Sequence, residues 1–344
     1  MKYYSNKVID IKQLQKNFLA LNKFSNKKIC AVVKANAYGH NAKIVTKYLS
    51  DICDFFAVQN LYEALEIRRV NKTAKILVLG YTIDYNLASK HNISVMVDDI
   101  NILEKIIEKN IKLNVHIKVN TGMNRLGIKD ENTLKKMQKL IKNAKNITFE
   151  GIFTHFYATN NIDITKKQIE IFEHFVKKID KNFTPIVHVG GSGMVHYNID
   201  FVNYIRCGIS LYGYNEKFVK PSMRIESKII KITIVKAGEN VGYGCGFVAT
   251  SNTKVALIPL GYADGILRNL SNKMHIKIGD NLARCIGNIC MDMFFVDITN
   301  INAKVGDKVT VFWDANIWTK TLDVTSYEIL TGLNNARANI LIEK

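Results

Sequence analysis

The chain has only three prolines, Pro185, Pro221 and Pro259, in 344 residues, so no proline-rich linker separates its parts. Its six cysteines, Cys30, Cys53, Cys207, Cys245, Cys285 and Cys290, form no Cys-x-x-Cys pair. That argues against a disulfide framework and for free thiols in a reducing cytoplasm. No apolar run is long enough to span a membrane. The first residues, Met1-Lys2-Tyr3-Tyr4-Ser5-Asn6-Lys7, lack the apolar core of a signal peptide. Neither an internal repeat nor a low-complexity segment is present. Long basic blocks are missing too, although 48 Lys+Arg against 30 Asp+Glu leave a net charge of +18. The lysines are scattered, often beside Asn and Ile. They read as a solvated surface rather than a nucleic-acid footprint, so the expectation is neither a nucleic-acid nor a membrane partner.

What is present is a large supply of core residues. The composition is 47% hydrophobic and 23% charged, enough for one or two sizeable domains. Asp10 can cap a helix whose Leu14, Phe18 and Leu21 share a face. After it, strand-like and helix-like segments alternate. Strands are expected to begin near Ile29, Phe55, Lys75, Ile93, Lys112, Ile147, Ile186 and Asn203. Helical spacing fills most gaps, as in Ile102-Leu103-Ile106-Ile107. Eight strands with helices between them suggest a closed parallel (β/α)8 barrel of the TIM type, with an open doubly wound sheet as the alternative. From Pro221 the segments become short, β-branched and punctuated by glycine: Ile229 to Val235, Lys254 to Pro259, His275 to Ile278, Phe294 to Ile298 and Lys308 to Phe312. The expected organisation is an α/β barrel over residues 1–220 and a mostly antiparallel β domain over 221–344.

One stretch carries most of the chemistry: Ile29-Cys30-Ala31-Val32-Val33-Lys34-Ala35-Asn36-Ala37-Tyr38-Gly39-His40. The apolar run reads as a strand buried on both faces, ending at a lysine. Burial there lowers an amine's pKa and favours a neutral nucleophile able to form a Schiff base with a carbonyl compound or pyridoxal phosphate. On these residues alone, a lysine snorkelling to water is the other reading. Four more polar residues stand at the carboxyl ends of expected barrel strands, where barrel enzymes build their sites: Arg125 follows the fifth, His155 ends the sixth, Ser192 follows the seventh and Arg206 ends the eighth. Gly190-Gly191-Ser192-Gly193 and Gly208-Ile209 occupy the loops after strands seven and eight. Those loops often bind phosphate through backbone N–H groups, although Gly-Gly-Ser-Gly by itself is a common turn.

The Ala-Val-Val-Lys-Ala-Asn-Ala-Tyr-Gly-His segment resembles the cofactor-lysine motif of the alanine racemases, and further motifs extend the likeness over nearly the whole chain. The resemblance decides for the barrel. It implies pyridoxal 5'-phosphate bound through Lys34, with Tyr38, Ser192, Gly208 and Ile209 at its phosphate. Gly191 and Gly193 stand where the family commonly has Asn and Ala. Arg206 matches the arginine at the pyridine nitrogen, a donor that does not give up its proton. His155 matches the ring-stacking histidine. Arg125 matches the arginine near the cofactor phenolic oxygen and the substrate carboxylate. Lys118 aligns with a lysine that many members carbamylate, and Asn120 replaces a frequent Asp.

In the second half, Val241-Gly242-Tyr243-Gly244-Cys245-Gly246 resembles the motif bearing the catalytic tyrosine. A tyrosine base needs cationic neighbours, and His155 with Arg206 are the candidates. Ile289-Cys290-Met291-Asp292-Met293 and Ile258-Pro259-Leu260-Gly261-Tyr262-Ala263-Asp264-Gly265 match further motifs. They imply that Met291 and Asp292 serve the substrate carboxylate and the tyrosine, and that Tyr262 lines the way in for substrate. Ser326 to Thr331 fits the family tail, but Leu333-Asn334-Asn335-Ala336-Arg337-Ala338-Asn339 lacks its Arg-x-Pro-Arg run. The implied activity is interconversion of L- and D-alanine for cell-wall peptidoglycan. Lys34 and Tyr243 would be two bases from opposite subunits of a cytoplasmic homodimer, with no metal. A racemase of broader specificity, a non-catalytic pyridoxal-phosphate-binding barrel and a two-domain decarboxylase are the rivals. The β domain argues against the second and Arg206 against the third.

Overall fold

The computed structural model describes residues 3–335 and 337–344. It contains a first strand, β1 (Asn6–Asp10), and then eight strands that close into a parallel barrel. These are β2 (Lys28–Val32), β3 (Phe55–Val58), β4 (Lys75–Val78), β5 (Ser94–Val97), β6 (Leu113–Lys118), β7 (Ile147–His155), β8 (Ile186–Gly190) and β9 (Tyr204–Cys207). Lys28 to Ala31 pair with Tyr204 to Cys207 and shut the ring. Every expected barrel strand begins within one residue of its expected start. Buried β-branched and aromatic runs bounded by polar residues are strong local signals.

The crossover helices start where short polar side chains can cap them. Asn41, Asn60, Asp84, Asp99, Asp130 and Asn161 each accept a backbone N–H from the first turn of the helix that follows. Such caps are worth about 1 kcal/mol each. The helix Ile11–Ser25 is capped by Asp10, whose Oδ1 accepts from the Gln13 N–H at 2.8 Å, and it buries Leu14, Phe18 and Leu21.

The second unit is a nine-stranded sheet. Besides β1 it holds β10 (Met223–Lys228), β11 (Lys231–Val235), β12 (Thr253–Ile258), β13 (His275–Ile278), β14 (Asn281–Ile286), β15 (Phe294–Asp297), β16 (Lys308–Phe312) and β17 (Asn339–Glu343). The order is β11-β12-β15-β14-β13-β16-β10-β1-β17. All neighbours run antiparallel except β1 and β17. Val241, Val255 and Ile286 form a buried cluster with Val235, Phe247 and Phe295 against it.

The compact units differ from the expected division at the amino terminus. Residues 1–13 and 38–40 group with residues 221–344, and the barrel unit comprises 14–37 and 41–220. The cause is strand pairing: Asn6 to Ile9 pair with Met223 to Glu226 on one side and with Asn339 to Ile342 on the other. Those partners are more than two hundred residues away, so no local pattern reports them.

Candidate active site

Lys34 follows β2 and opens a left-handed turn. Ala35, Asn36, Ala37 and Tyr38 all have φ between 50° and 56°. Left-handed backbone costs an L-residue about 1–2 kcal/mol, so four in a row must be held from outside. Glu63 supplies one hold: its Oε1 accepts from the Ala35 N–H and its Oε2 from the Gln59 N–H, both at 2.8 Å. The Ala37 N–H reaches the Val33 carbonyl at 2.8 Å, and Asn36 Oδ1 accepts from the Ala42 N–H at 2.8 Å. The backbone that follows the strand-end lysine is thus held on three sides.

The electrostatics of this rim follow from burial among cations. Burial, then the charges of Arg125 and Arg206, pull the Lys34 amine below its ordinary value, against the opposing pull of Glu63. Burial, then Arg206 and Arg125, pull the Lys118 amine down to about 8. His155, the last residue of β7, is held at about 3 by burial, Arg206 and Arg125. It is therefore a neutral ring, which corrects the expectation that it offers positive charge to a tyrosine. Arg206 stands inside β9, 4% exposed, with burial bringing it down to about 10, and it stays protonated at neutral pH. Its Nη2 donates to the Thr154 carbonyl at 2.7 Å and its Nη1 to His188 Nδ1 at 2.8 Å. The guanidinium lies 4.7 Å above the Phe153 ring. Gly190 makes room for this pair, since a Cβ there would strike both Arg206 and His155.

Arg125 lies in the exposed loop after β6. Asn120 shapes that loop, its Oδ1 accepting from the N–H groups of Gly122 and Asn124 at 3.0 and 3.1 Å. An amide oxygen thus does here what an aspartate oxygen would do. Ser192 is buried after β8, and its Oγ accepts from the N–H groups of Gly208 at 3.2 Å and Ser210 at 3.4 Å. The two expected phosphate loops are therefore tied together. Ser210 was not legible as a site residue, yet its hydroxyl is buried there without a hydrogen-bond partner. Its only sequence signal is its position two residues after Gly208.

The β unit has its own cleft of about 590 Å³, lined by Gly242, Tyr243, Tyr262, Cys290, Met291, Asp292, Met293 and Phe295. All four residues expected in this half, Tyr243, Tyr262, Met291 and Asp292, line it. The Tyr262 and Ala263 N–H groups donate to the Cys290 and Met291 carbonyls at 3.1 and 3.0 Å, which joins the two motif loops. Asp292 Oδ1 accepts from Arg337 Nη2 at 2.7 Å. The same guanidinium grips buried Asp264 through Nε at 2.8 Å and Nη2 at 3.1 Å. Arg337 was missed in the sequence because the tail around it departs from the family run, and Ala336 lies outside the described residues. Tyr38 is buried with its ring 5.9 Å from that of Tyr327. Among the described residues no cluster of His, Cys, Asp and Glu could hold a metal ion, and no helix is long and apolar enough to cross a membrane.

Residues 9–216 match the family description "Alanine racemase, N-terminal domain", and residues 222–341 match "Alanine racemase, C-terminal domain". The alanine racemase of Staphylococcus carnosus (strain TM300) is 35% identical over 326 residues, covering 88% of this chain and 84% of that one. Among solved structures, the alanine racemase of Clostridium difficile 630 superposes with a TM-score of 0.89 at 32% identity, covering 96% of this chain and 93% of that one. The alanine racemase of Bartonella henselae with covalently bound pyridoxal phosphate gives 0.87 at 26% identity, covering 99% of each.

Proposed function

Since the chain belongs to the alanine racemase family and is a racemase, we propose that it interconverts L- and D-alanine with pyridoxal 5'-phosphate, using Lys34 and Tyr243 as two bases. One observation carries the proposal. Lys34, Lys118, His155 and Arg206 share one barrel rim with Arg125, and the charge of Arg125 contributes to lowering all four. The Arg125 and Arg206 guanidiniums and the Lys118 ammonium around one neutral ring suit a ligand that brings a phosphate and a carboxylate.

The residues present fit the cofactor. The unpartnered buried hydroxyl of Ser210, beside Ser192 and Gly208, is a donor waiting for an anion. The covalent cofactor in the Bartonella henselae structure supports the same reading. Lys34 would hold the aldehyde carbon. Ser192, Ser210, Gly208, Ile209 and Tyr38 would hold the phosphate, Arg206 the ring nitrogen, and His155 the ring face. Bound there, the cofactor supplies the electron-withdrawing group that acidifies the α-hydrogen of an attached amino acid.

Inversion then needs a proton taken on one face of the α-carbon and returned on the other. The lowered Lys34 amine is suited to accept it at Nζ, and the Tyr243 hydroxyl serves the opposite face. Arg206 can donate toward the ring nitrogen but does not surrender its proton, so it keeps that nitrogen unprotonated and limits side reactions. Arg125 and the Met291 backbone would bind the substrate carboxylate, Asp292 would act through Arg337, and Tyr262 would line the approach. The exposure of Tyr243, Tyr262 and Met291 supports a homodimer in which this cleft faces the partner's barrel. The free cysteines support a reducing cytoplasm, and supply of D-alanine for peptidoglycan is the proposed role.

The test is direct. Purified protein is incubated with L-alanine and with other single L-amino acids, and the D-enantiomers are resolved chromatographically. Borohydride reduction followed by peptide mapping should place the cofactor on Lys34. A label on another lysine, or no D-alanine formed, would overturn the proposal.

A further inference from the structure

Arg206 is the start of a hydrogen-bonded chain that runs down the barrel interior. Arg206 Nη1 to His188 Nδ1 is 2.8 Å, His188 Nε2 to His116 Nδ1 is 2.8 Å, and His116 Nε2 to Glu150 Oε2 is 3.0 Å. Its direction follows from chemistry. A guanidinium only donates, so His188 Nδ1 accepts and the His188 proton sits on Nε2. His116 Nδ1 must then accept, and its proton also sits on Nε2, pointing at Glu150. Glu150 closes the chain as a pure acceptor, taking further hydrogen bonds from Lys75 Nζ at 2.7 Å and from the Ser94 hydroxyl. Both imidazoles are fully buried, and burial keeps both below their ordinary pKa. Burial pushes the Glu150 carboxyl up, but its partners His116, Lys75 and Ser94 outweigh it and hold it below the ordinary carboxylate range. One positive charge thus stands at one end and one negative charge at the other, with two neutral rings between.

The backbone is built around this chain. Val115 pairs with Phe149 and His116 with Gly151, so Glu150 is an extra residue in β7, a bulge in a parallel pair. Bulges re-aim a side chain and are rare between parallel strands. Gly151 is equally specific, since a Cβ there would strike the His116 ring. Phe153 stacks on His188 at 4.8 Å, and Phe55 packs against both imidazoles at 5.5 and 5.9 Å. Among the described residues no carboxylate pairs with Arg206 directly. A buried guanidinium without a counter-charge is costly, and among the described residues this route leads from it to an anion.

We propose that Glu150 is a positioning residue for Arg206: acting through His116 and His188, it terminates the proton chain, fixes both tautomers and balances the guanidinium. Its link to catalysis rests on the proposed role of Arg206 at the cofactor ring. The chain itself does not.

The experiment uses the full-length protein as purified, labelled with nitrogen-15 histidine, with signals assigned by single histidine substitutions. Long-range proton–nitrogen correlations report which ring nitrogen carries the proton. His116 and His188 should both be neutral with the proton on Nε2 throughout the pH range in which the protein is folded. Glu150→Gln keeps the volume and an acceptor but removes the charge. It should shift the His116 nitrogens and, more weakly, those of His188, because hydrogen bonds in series polarise one another by roughly 10–30% per bond. Glu150→Leu should move both further, and if it does not fold, the glutamine variant decides alone. Racemisation by Glu150→Gln should slow roughly five- to tenfold, the difference between a charged and a neutral hydrogen-bond partner. A charged ring, a proton on Nδ1 of either histidine, or an unmoved His188 in Glu150→Gln would overturn the proposal. If the protein neither binds pyridoxal phosphate nor racemises alanine, the proposed function fails, and the histidine signals still decide whether the chain exists.

Discussion

The barrel rim and the cleft of the β unit hold their side chains in opposite ways. On the rim, Arg206, Lys118 and Ser192 are buried, Arg206 and Ser192 are held by hydrogen bonds, and burial with the charge of Arg206 lowers the Lys118 amine. In the cleft, Tyr243 is 73% exposed, and Tyr262 and Met291 are exposed beside it. A catalytic hydroxyl needs a dry, positively charged setting before it can act as a base. The rim is such a setting, whereas the cleft leaves its tyrosines open to solvent. The contrast is what a shared site would leave in each half, and it can be attacked from four directions.

The largest effect concerns the pairing of the halves. Lys34→Ala and Tyr243→Phe should each lose about 10²–10⁴-fold or more in activity. Mixed and allowed to exchange subunits, they should recover about a quarter of wild-type sites, because about half the dimers become mixed and each mixed dimer has one intact site. No recovery despite exchange shown by mass spectrometry would place both bases in one chain and dissolve the comparison.

A second effect sits in the β unit, where one cation breaks the pattern of exposure. Lys7 is buried, donates to the Gly39 and Leu333 carbonyls at 3.0 and 2.8 Å, and is brought by burial to about 8. Its folded pKa lies below its unfolded one, so the unfolded chain binds more protons between the two and stability rises with pH across that window. Relative to Lys7→Met, the wild type should gain at most about 3 kcal/mol as pH rises from about 8 toward the ordinary lysine value. Parallel melting curves for both proteins would remove Lys7 from this role.

The rim can also be overfilled. Gly190→Ala puts a methyl group against Arg206 and His155, and should cost about 1–3 kcal/mol in denaturant unfolding together with most of the activity. An unchanged midpoint with full activity would mean that the rim is looser than its packing implies. The smallest effect belongs to the half-exposed Arg337, whose loss in Arg337→Ala should cost about 1 kcal/mol and raise KM more than it lowers kcat. A change confined to kcat would instead tie Arg337 to the chemistry of the tyrosine.

The barrel strands and the positions of Lys34, Arg125, His155, Ser192 and Arg206 at or after their ends were legible because each depends on a short local pattern, whereas the closure of the strands into a barrel was decided by the family resemblance. A buried apolar run ends in a polar residue, and the barrel rule puts all such ends on one face. The cleft residues Tyr243, Tyr262, Met291 and Asp292 were legible through their motifs. Other features depended on residues far apart in sequence. β1 was assigned to the barrel because nothing in Asn6 to Asp10 reports a partner at Met223 or Asn339. Glu150 reads as an ordinary polar residue in a strand until a bulge aims it at His116. The neutrality of His155 is set first by its burial and then by Arg206, about fifty residues later. Ser210 is a small residue in a loop until Ser192 is folded against it. What the sequence by itself determined is which backbone segments form and which reactive groups they carry. Only the tertiary structure decided which of those groups are charged, which proton points where, and which carboxylate answers a buried arginine. Desolvation and hydrogen bonding act over a few ångströms of space, whatever the distance along the chain.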